Sequence, residues 1–184
     1  METLLIAVIL ALIPVLSWFI QYHLAKIDGK LKLFEKHLSV YYFDWVFVVF
    51  NLLWIYSVSF NYFIIVFSLI VSLIVTSLIH IFWKKLHIKE KKPVYMYDLK
   101  KRKITPAGVW HFLYHFIQLF LIIVFLLSDV SNIYSYLALF CLFLFFVGAT
   151  FSSKSIHGKV SLTDWPFLIL GFIIFFIKFF RILI

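Results

Sequence analysis

The residues best suited to chemistry in this sequence are histidines near the ends of its apolar segments. His111 and His115 are four residues apart, and Gln118 continues the same helical face. Two histidines at this spacing can ligate one metal ion, and His80 from another segment could supply a third nitrogen. The pattern predicts a site for a divalent metal such as zinc, which would activate water. The alternative is that these amphipathic rings simply tolerate the membrane interface.

Asp44 is a carboxylate with apolar neighbours on both sides, in the stretch Tyr-Tyr-Phe-Asp-Trp. One interpretation is that it pairs with a lysine or histidine and serves as a fourth metal ligand or a general base. The other is that it caps the N-terminus of a helix. Gln118 is expected to lie two turns into a membrane helix, where an unpaired amide is costly, so it should face another helix or a wet cavity.

The elements that position these residues must lie in a membrane, because 65% of the 184 residues are apolar and only 14% are charged. Soluble domains are nearer 45–50% apolar. Six segments have the length of about 20 residues that a span requires. Because lipid cannot satisfy free backbone amides, each span should be helical. We therefore predict an all-α, polytopic transmembrane helical bundle that forms one integral membrane domain over residues 1–184. Its spans are residues 4–22, 42–60, 62–83, 109–127, 133–151 and 165–184.

The charge pattern predicts the orientation of this bundle. Seventeen Lys and Arg against eight Asp and Glu give a net charge of +9. Fifteen of the seventeen basic residues fall in the loops after spans 1, 3 and 5, and the two opposite turns contain none. The positive-inside rule then makes the basic loops cytoplasmic and puts both termini outside. It also explains the basic excess without nucleic-acid binding. Lys178 and Arg181, near the end of span 6, should snorkel to the outer interface.

Two basic loops have patterns of their own. In the first loop, apolar residues recur every three or four positions, which predicts an amphipathic interfacial helix after span 1 that Gly29 weakens. In the loop between spans 3 and 4, the stretch 94–104 could form a small hairpin. The basic residues of that stretch could bind a phosphate, anionic lipid headgroups or an acidic partner, or could only fix the topology. They are Lys100, Lys101, Arg102 and Lys103.

Two further local patterns concern helix packing and helix capping. Ala7 and Ala11 in span 1, and Gly148 and Ser152 in span 5, form small-xxx-small pairs that allow helices to approach closely. Thr105 followed by proline is typical of an N-cap and the first helical position of span 4.

The sequence leaves three functions open. The first is a non-catalytic accessory or structural subunit that docks a membrane-protein partner, or a second copy of itself. The second is a metal-dependent hydrolase or transferase that acts on a lipid or isoprenoid headgroup at the cytoplasmic leaflet, with the three histidines on the metal and Asp44 as base. The third is a small-solute transporter whose pocket opens past Gln118.

Overall fold

The chain is predominantly helical in a computed structural model that describes residues 2–38, 43–55, 61–90, 93–98, 100–101, 103–128, 133–157 and 165–183. Its helices are α1 (Glu2–Ile27), α2 (Leu31–Glu35), α3 (Asp44–Trp54), α4 (Tyr62–Glu90), α5 (Pro106–Leu127), α6 (Ile133–His157) and α7 (Trp165–Leu183). Two short strands, β1 (Tyr97–Asp98) and β2 (Lys103–Ile104), pair between α4 and α5.

Three helical segments are long and apolar enough to cross a membrane. They are Val8–Ile27 in α1, Tyr62–Lys85 in α4 and Pro106–Leu127, which is the whole of α5. The expectation of a membrane protein built from helices therefore agrees with the fold. Three further apolar helical segments are shorter: Asp44–Trp54, Ile133–Gly148 and Gly171–Phe180. The end of the predicted second span, residues 56–60, lies outside the described residues.

Helix α5 is central to the packing of the helices. Helix α5 lies between α1 and α4 and packs along both, α3 packs against α1 and α6, and α7 packs against α6. The main core forms where α3, α5 and α6 meet, and it is largely aromatic. Phe50 and Phe125 meet there edge to face, with ring centroids 5.1 Å apart. Such edge-to-face pairs stabilise a core beyond the area that they bury.

The predicted amphipathic helix after span 1 is interrupted in the structure. Helix α1 ends at Ile27, and Gly29 has φ +65°, a conformation that glycine adopts without steric cost. Helix α2 is therefore only five residues long. Its Phe34 is fully buried and packs against Tyr95, with ring centroids 5.1 Å apart. The apolar side of this segment thus contacts the protein.

The hairpin formed by β1 and β2 confirms the small hairpin expected in the second basic loop. Asp98 accepts hydrogen bonds from the backbone N–H groups of Lys101 and Lys100, and these bonds hold the pKa of its carboxyl below the usual range. Thr105 then caps α5, because its hydroxyl accepts the N–H of Gly108, and proline follows it. The cap predicted at Thr105 is therefore present, and α5 begins at Pro106.

Lys178 is buried, which differs from the expected snorkelling. Its side chain is 2% exposed, and its Nζ donates a hydrogen bond to the carbonyl oxygen of Ser128, just beyond the end of α5. The same ammonium lies 5.2 Å from the centroid of the Phe125 ring. A cation at a helix C-terminus is stabilised by the unpaired carbonyl groups there. Lys178 therefore joins α7 to the C-terminal end of α5. The side chain of Arg181 lies outside the described residues.

Candidate metal centre

Three histidines that are separated in the sequence come together near the hairpin. His111 and His115 lie one turn apart on the same face of α5, and His80 of α4 faces them. One ring nitrogen from each lies within 4.8 Å of the others. We call these three residues the histidine centre. Because α4 packs along α5, the centre combines a local i, i+4 pair with a residue from a neighbouring helix.

The spacing within the pair fits coordination of one ion. Nε2 of His115 lies 3.2 Å from Nε2 of His111. Two nitrogens bound tetrahedrally to one zinc ion, at the usual zinc–nitrogen bond length, are about 3.3 Å apart. The same 3.2 Å is a hydrogen-bond distance between the two rings, and it is compatible with both nitrogens binding a common ion. Among the described residues, no carboxylate belongs to this group of ligand atoms, so the expected role of Asp44 as a fourth ligand is not seen in this geometry.

Tyr97 fixes the orientation of the His80 ring. Its hydroxyl lies 3.2 Å from the backbone carbonyl oxygen of His80 and 3.4 Å from Nδ1 of the same residue. Burial raises the pKa of Tyr97 to about 12, so the hydroxyl keeps its single proton and donates it to the carbonyl. We infer that the hydroxyl oxygen then accepts the proton of Nδ1–H. This tautomer leaves a lone pair on Nε2, which is buried and has no hydrogen-bond partner among the described residues.

Aromatic rings surround the centre. Trp83 of α4 contacts all three histidines, with centroid distances of 5.4 Å to His80, 5.9 Å to His111 and 5.4 Å to His115. The other ring contacts to the centre come from Tyr95, Phe112 and Tyr114. An apolar shell of this kind limits access of water and lowers the local dielectric, which strengthens any interaction with a bound cation.

Asp44 belongs to a second polar network beside the centre. Its Oδ1 accepts hydrogen bonds from the hydroxyl of Tyr114 and from Nε2 of Gln118, the latter at 3.1 Å. The side chain of Gln118 therefore faces another helix, which is one of the two environments expected for it. The partners of Asp44 are a tyrosine and a glutamine, where the sequence suggested a lysine or histidine. The N-cap alternative is not seen: Asp44 is the first helical residue of α3, Phe43 takes the N-cap position, and no side chain caps the helix.

Tyr114 connects this network with the centre. It follows His111 by three residues on α5, and its ring centroid lies 5.0 Å from that of His115. Its hydroxyl donates a hydrogen bond to Asp44. The Oδ2 atom of Asp44 is buried and has no hydrogen-bond partner among the described residues. The buried carboxylate is therefore linked to the histidine centre through one tyrosine.

Sequence reasoning missed the two hairpin tyrosines. Tyr95 lies in the turn that joins Val94 to Tyr97, and Tyr97 begins β1. The hydroxyl of Tyr95 donates to Oε1 of Gln21 on α1 at 3.0 Å, and Tyr97 reaches His80 on α4. We call this pair the tyrosine cover. Nothing local in the sequence showed which helices these two side chains would contact.

The remaining predicted site residues lie away from the centre. The side chains of Lys100, Lys101 and Lys103 are exposed around the hairpin turn, and Arg102 lies outside the described residues. Ala11 is fully buried, close to Val15 and Val48. The side chains of Ala7 and Ser152 are outside the description.

Gly148 lies where two helices approach closely. A Cβ at this position would lie 2.0 Å from the ring of Phe43. The absence of a side chain on α6 at this point therefore permits its close approach to the start of α3.

Comparison with protein-family models, with curated proteins and with solved structures found no match. The function is therefore inferred from the geometry of the histidine centre in a protein with helices long and apolar enough to cross a membrane.

A Tyr97→Phe variant should bind zinc about 10–100-fold more weakly than the wild-type protein, the usual effect of losing a hydrogen bond that orients a ligating histidine. Phenylalanine keeps the ring that fills the site, so the loss reports the hydroxyl. The measurement is zinc affinity by competition with a fluorescent chelator. Tyr62→Phe, at a position that is 81% exposed, is the matched control. An unchanged affinity in Tyr97→Phe would show that this hydroxyl does not orient His80 for binding.

Proposed function

We propose that the protein is a membrane-embedded, metal-dependent enzyme whose metal ion is held by His80, His111 and His115. One observation supports this most strongly: nitrogens from two helices lie within 4.8 Å of one another in an aromatic shell. Burying polar nitrogen atoms in apolar surroundings is unfavourable unless they acquire partners. The buried Nε2 of His80, which has no hydrogen-bond partner among the described residues, is explained if it ligates an ion.

The described residues supply three neutral nitrogen ligands, and three such ligands favour a catalytic over a structural site. Structural zinc sites are normally closed by four protein ligands, whereas catalytic sites have three and leave one position for water or substrate. A divalent ion held in this way lowers the pKa of a water molecule that it binds. Tyr97 holds His80 in the ligating tautomer, and Asp44, reached through Tyr114, is the group proposed to accept a proton. This chemistry is that of a hydrolase or a transferase.

The proposal includes an orientation in the membrane. We take the six-span arrangement, with the basic loops in the cytoplasm and both termini outside, as the topology in which the centre works. The hairpin belongs to the most basic loop, so the centre would lie near the cytoplasmic leaflet. Its substrate would be a lipid or isoprenoid headgroup of that leaflet. The exposed Lys100, Lys101 and Lys103 would contact anionic headgroups nearby.

The test is metal content. Protein purified in mild detergent and supplied with zinc should retain one zinc ion per chain, measured by native mass spectrometry and by elemental analysis. A His111→Ala/His115→Ala double variant should retain none, since it loses two of three ligands. His23→Ala is the matched control, because His23 is exposed near the end of α1. Full zinc retention by the double variant would overturn the proposal.

The same experiment also tests the accessory-subunit hypothesis. A protein partner, or a second copy of the chain, retained in the native mass spectrum without zinc would support a docking role and contradict a metal enzyme. The transporter hypothesis depended on Gln118 lining a pocket. In the structure Gln118 is 5% exposed and donates to Asp44, so no specific observation favours transport.

A further inference from the structure

The histidine centre is covered differently on its two sides. On the hairpin side, Tyr95 and Tyr97 are 0% and 3% exposed. Their hydroxyls are hydrogen-bonded to two different helices, Tyr95 to Gln21 of α1 and Tyr97 to His80 of α4. The backbone is fixed as well, because the hydroxyl of Thr105 donates to the carbonyl of Tyr95 at 2.8 Å. This side is therefore closed by hydrogen-bonded structure.

The side formed by α4 and α5 is covered more loosely. The ring of Trp83 packs 5.4 Å from that of His115, and the ring of Phe112 packs 5.2 Å from that of His80, measured between centroids. Trp83, Phe112 and His115 are partly exposed residues, whereas His80 and His111 are buried. Helices α4 and α5 both have the length and apolarity of membrane spans. The partly exposed residues at the centre therefore lie on span-length helices.

The outer face of α4 at this level is apolar. Its Leu78, Ile81 and Phe82 are 61%, 53% and 51% exposed. Exposed aliphatic and aromatic side chains on a helix of span length are the surface that lipid tails contact. A molecule that reaches Trp83 or Phe112 from outside the bundle therefore comes from the hydrocarbon region.

The shell of the centre is suited to an uncharged ligand. Ring contacts and hydrogen bonds place five aromatic side chains around the histidines: Trp83, Tyr95, Tyr97, Phe112 and Tyr114. The basic side chains of the hairpin turn are exposed to solvent instead. A phosphate group buried beside the histidines would require a cationic partner to offset its desolvation. An ester or alcohol oxygen has a lone pair for a metal ion and carries no charge.

We propose that the substrate of this centre is a membrane-dissolved lipid with an uncharged ester or alcohol headgroup, which enters from the bilayer past Trp83 and Phe112. The chemistry rests on the proposed metal-dependent function. The route and the charge of the ligand do not, so they are measurable on metal-free protein. The lysines of the hairpin would then contact the membrane surface and would not hold the reacting headgroup.

The test compares two maleimides on a thiol introduced at the centre. The variant His115→Cys, in a Cys141→Ser background, is placed in phosphatidylcholine nanodiscs without metal. N-ethylmaleimide is neutral and dissolves in the bilayer, whereas a stilbene disulfonate maleimide is charged and stays in water. Lys100→Cys in the same background is the matched control, because Lys100 is exposed. After normalisation to this control, we expect the neutral reagent to modify position 115 about tenfold faster or more, since a charged group is strongly excluded from hydrocarbon.

Two further variants separate the two sides of the centre. Tyr97→Ala added to His115→Cys should allow the charged reagent to react, because it removes part of the tyrosine cover. Phe112→Trp added to His115→Cys should slow the neutral reagent. Equal normalised rates for the two maleimides in the parent variant would overturn lateral entry.

The charge of the headgroup is tested with lipids of known composition. Nanodiscs that contain diacylglycerol should protect position 115 from N-ethylmaleimide, and nanodiscs with phosphatidic acid of the same acyl chains should not. Equal protection by phosphatidic acid, or no protection by diacylglycerol, would overturn the uncharged class.

A wild-type measurement covers the case in which His115→Cys does not fold. From the zinc-loaded protein, bathophenanthroline should remove the metal faster than its disulfonate, which has the same chelating group but is charged. Equal removal rates would contradict lateral entry. If the neutral maleimide selectively labels position 115 and the wild-type protein binds no zinc, lateral entry is supported and the metal centre is overturned. The two proposals therefore fail in distinguishable ways.

Discussion

An Asp44→Ala variant is expected to unfold at a markedly lower temperature than the wild-type protein in detergent. The substitution removes the acceptor for the hydroxyl of Tyr114 and the amide of Gln118, which are 2% and 5% exposed. Removing the acceptor of a buried hydrogen bond costs about 1–3 kcal/mol. We therefore expect the free energy of unfolding to fall by about 3 kcal/mol. Helix α3 would lose these two hydrogen bonds to α5.

Two comparisons make this result specific. Asp44→Asn keeps an acceptor oxygen of the same shape, so it should recover much of the lost stability while removing the proposed proton acceptor. Asp28→Ala removes an exposed carboxylate and should leave the unfolding temperature unchanged. The measurement is thermal unfolding followed by circular dichroism. If Asp44→Ala unfolded at the wild-type temperature, the hydrogen bonds to Tyr114 and Gln118 would not contribute to stability.

Gly108→Ala is expected to displace the hairpin from the helices. A Cβ at position 108 would lie 2.2 Å from the carbonyl oxygen of Met96 and 2.8 Å from Cγ2 of Ile104. The first contact is with backbone that accepts the N–H of Thr105, so it cannot be relieved by rotating a side chain. Alanine favours a helix over glycine by about 1 kcal/mol, but overpacking typically costs about 1–3 kcal/mol or more. We expect net destabilisation.

The readout for Gly108→Ala is the rate of tryptic cleavage at the lysines of the hairpin turn. Displacement of Met96 should also weaken the tyrosine cover, so cleavage should be faster and zinc affinity lower. Val109→Ala is the matched control, because it changes a side chain that is 50% exposed in the same helical turn. Wild-type cleavage and affinity in Gly108→Ala would show that the hairpin tolerates the added methyl group.

Local features of the site were predictable from the sequence. His111 and His115 could be grouped because an i, i+4 spacing is fixed by helix geometry alone. The cap at Thr105 was predictable for the same reason, since Gly108, whose N–H its hydroxyl accepts, lies within one turn. The apolar character of the segments likewise required helices that suit a membrane.

The features that the sequence left open or predicted wrongly depend on how distant elements pack. His80 was a plausible third nitrogen, but only the packing of α4 along α5 brings it to the pair. The predicted partner of Asp44, a lysine or a histidine, was wrong because the sequence could not show that α3 would meet α5 at Tyr114 and Gln118. Lys178 was expected to snorkel to the outer interface, whereas its ammonium donates to a carbonyl oxygen just beyond the end of α5. In each case the deciding contact joins segments that are far apart in the chain.

The tyrosine cover has a mechanical consequence for the molecule. Tyr95 is hydrogen-bonded to α1 and Tyr97 to α4, so the hairpin bridges two helices that lie on either side of α5. At this end, the separation of α1 and α4 is set by a tight turn of chain in which one residue separates the two tyrosines. Along the rest of its length, α4 is positioned by its packing against α5. The hairpin therefore fixes the spacing of two helices that, over the described residues, do not pack along each other.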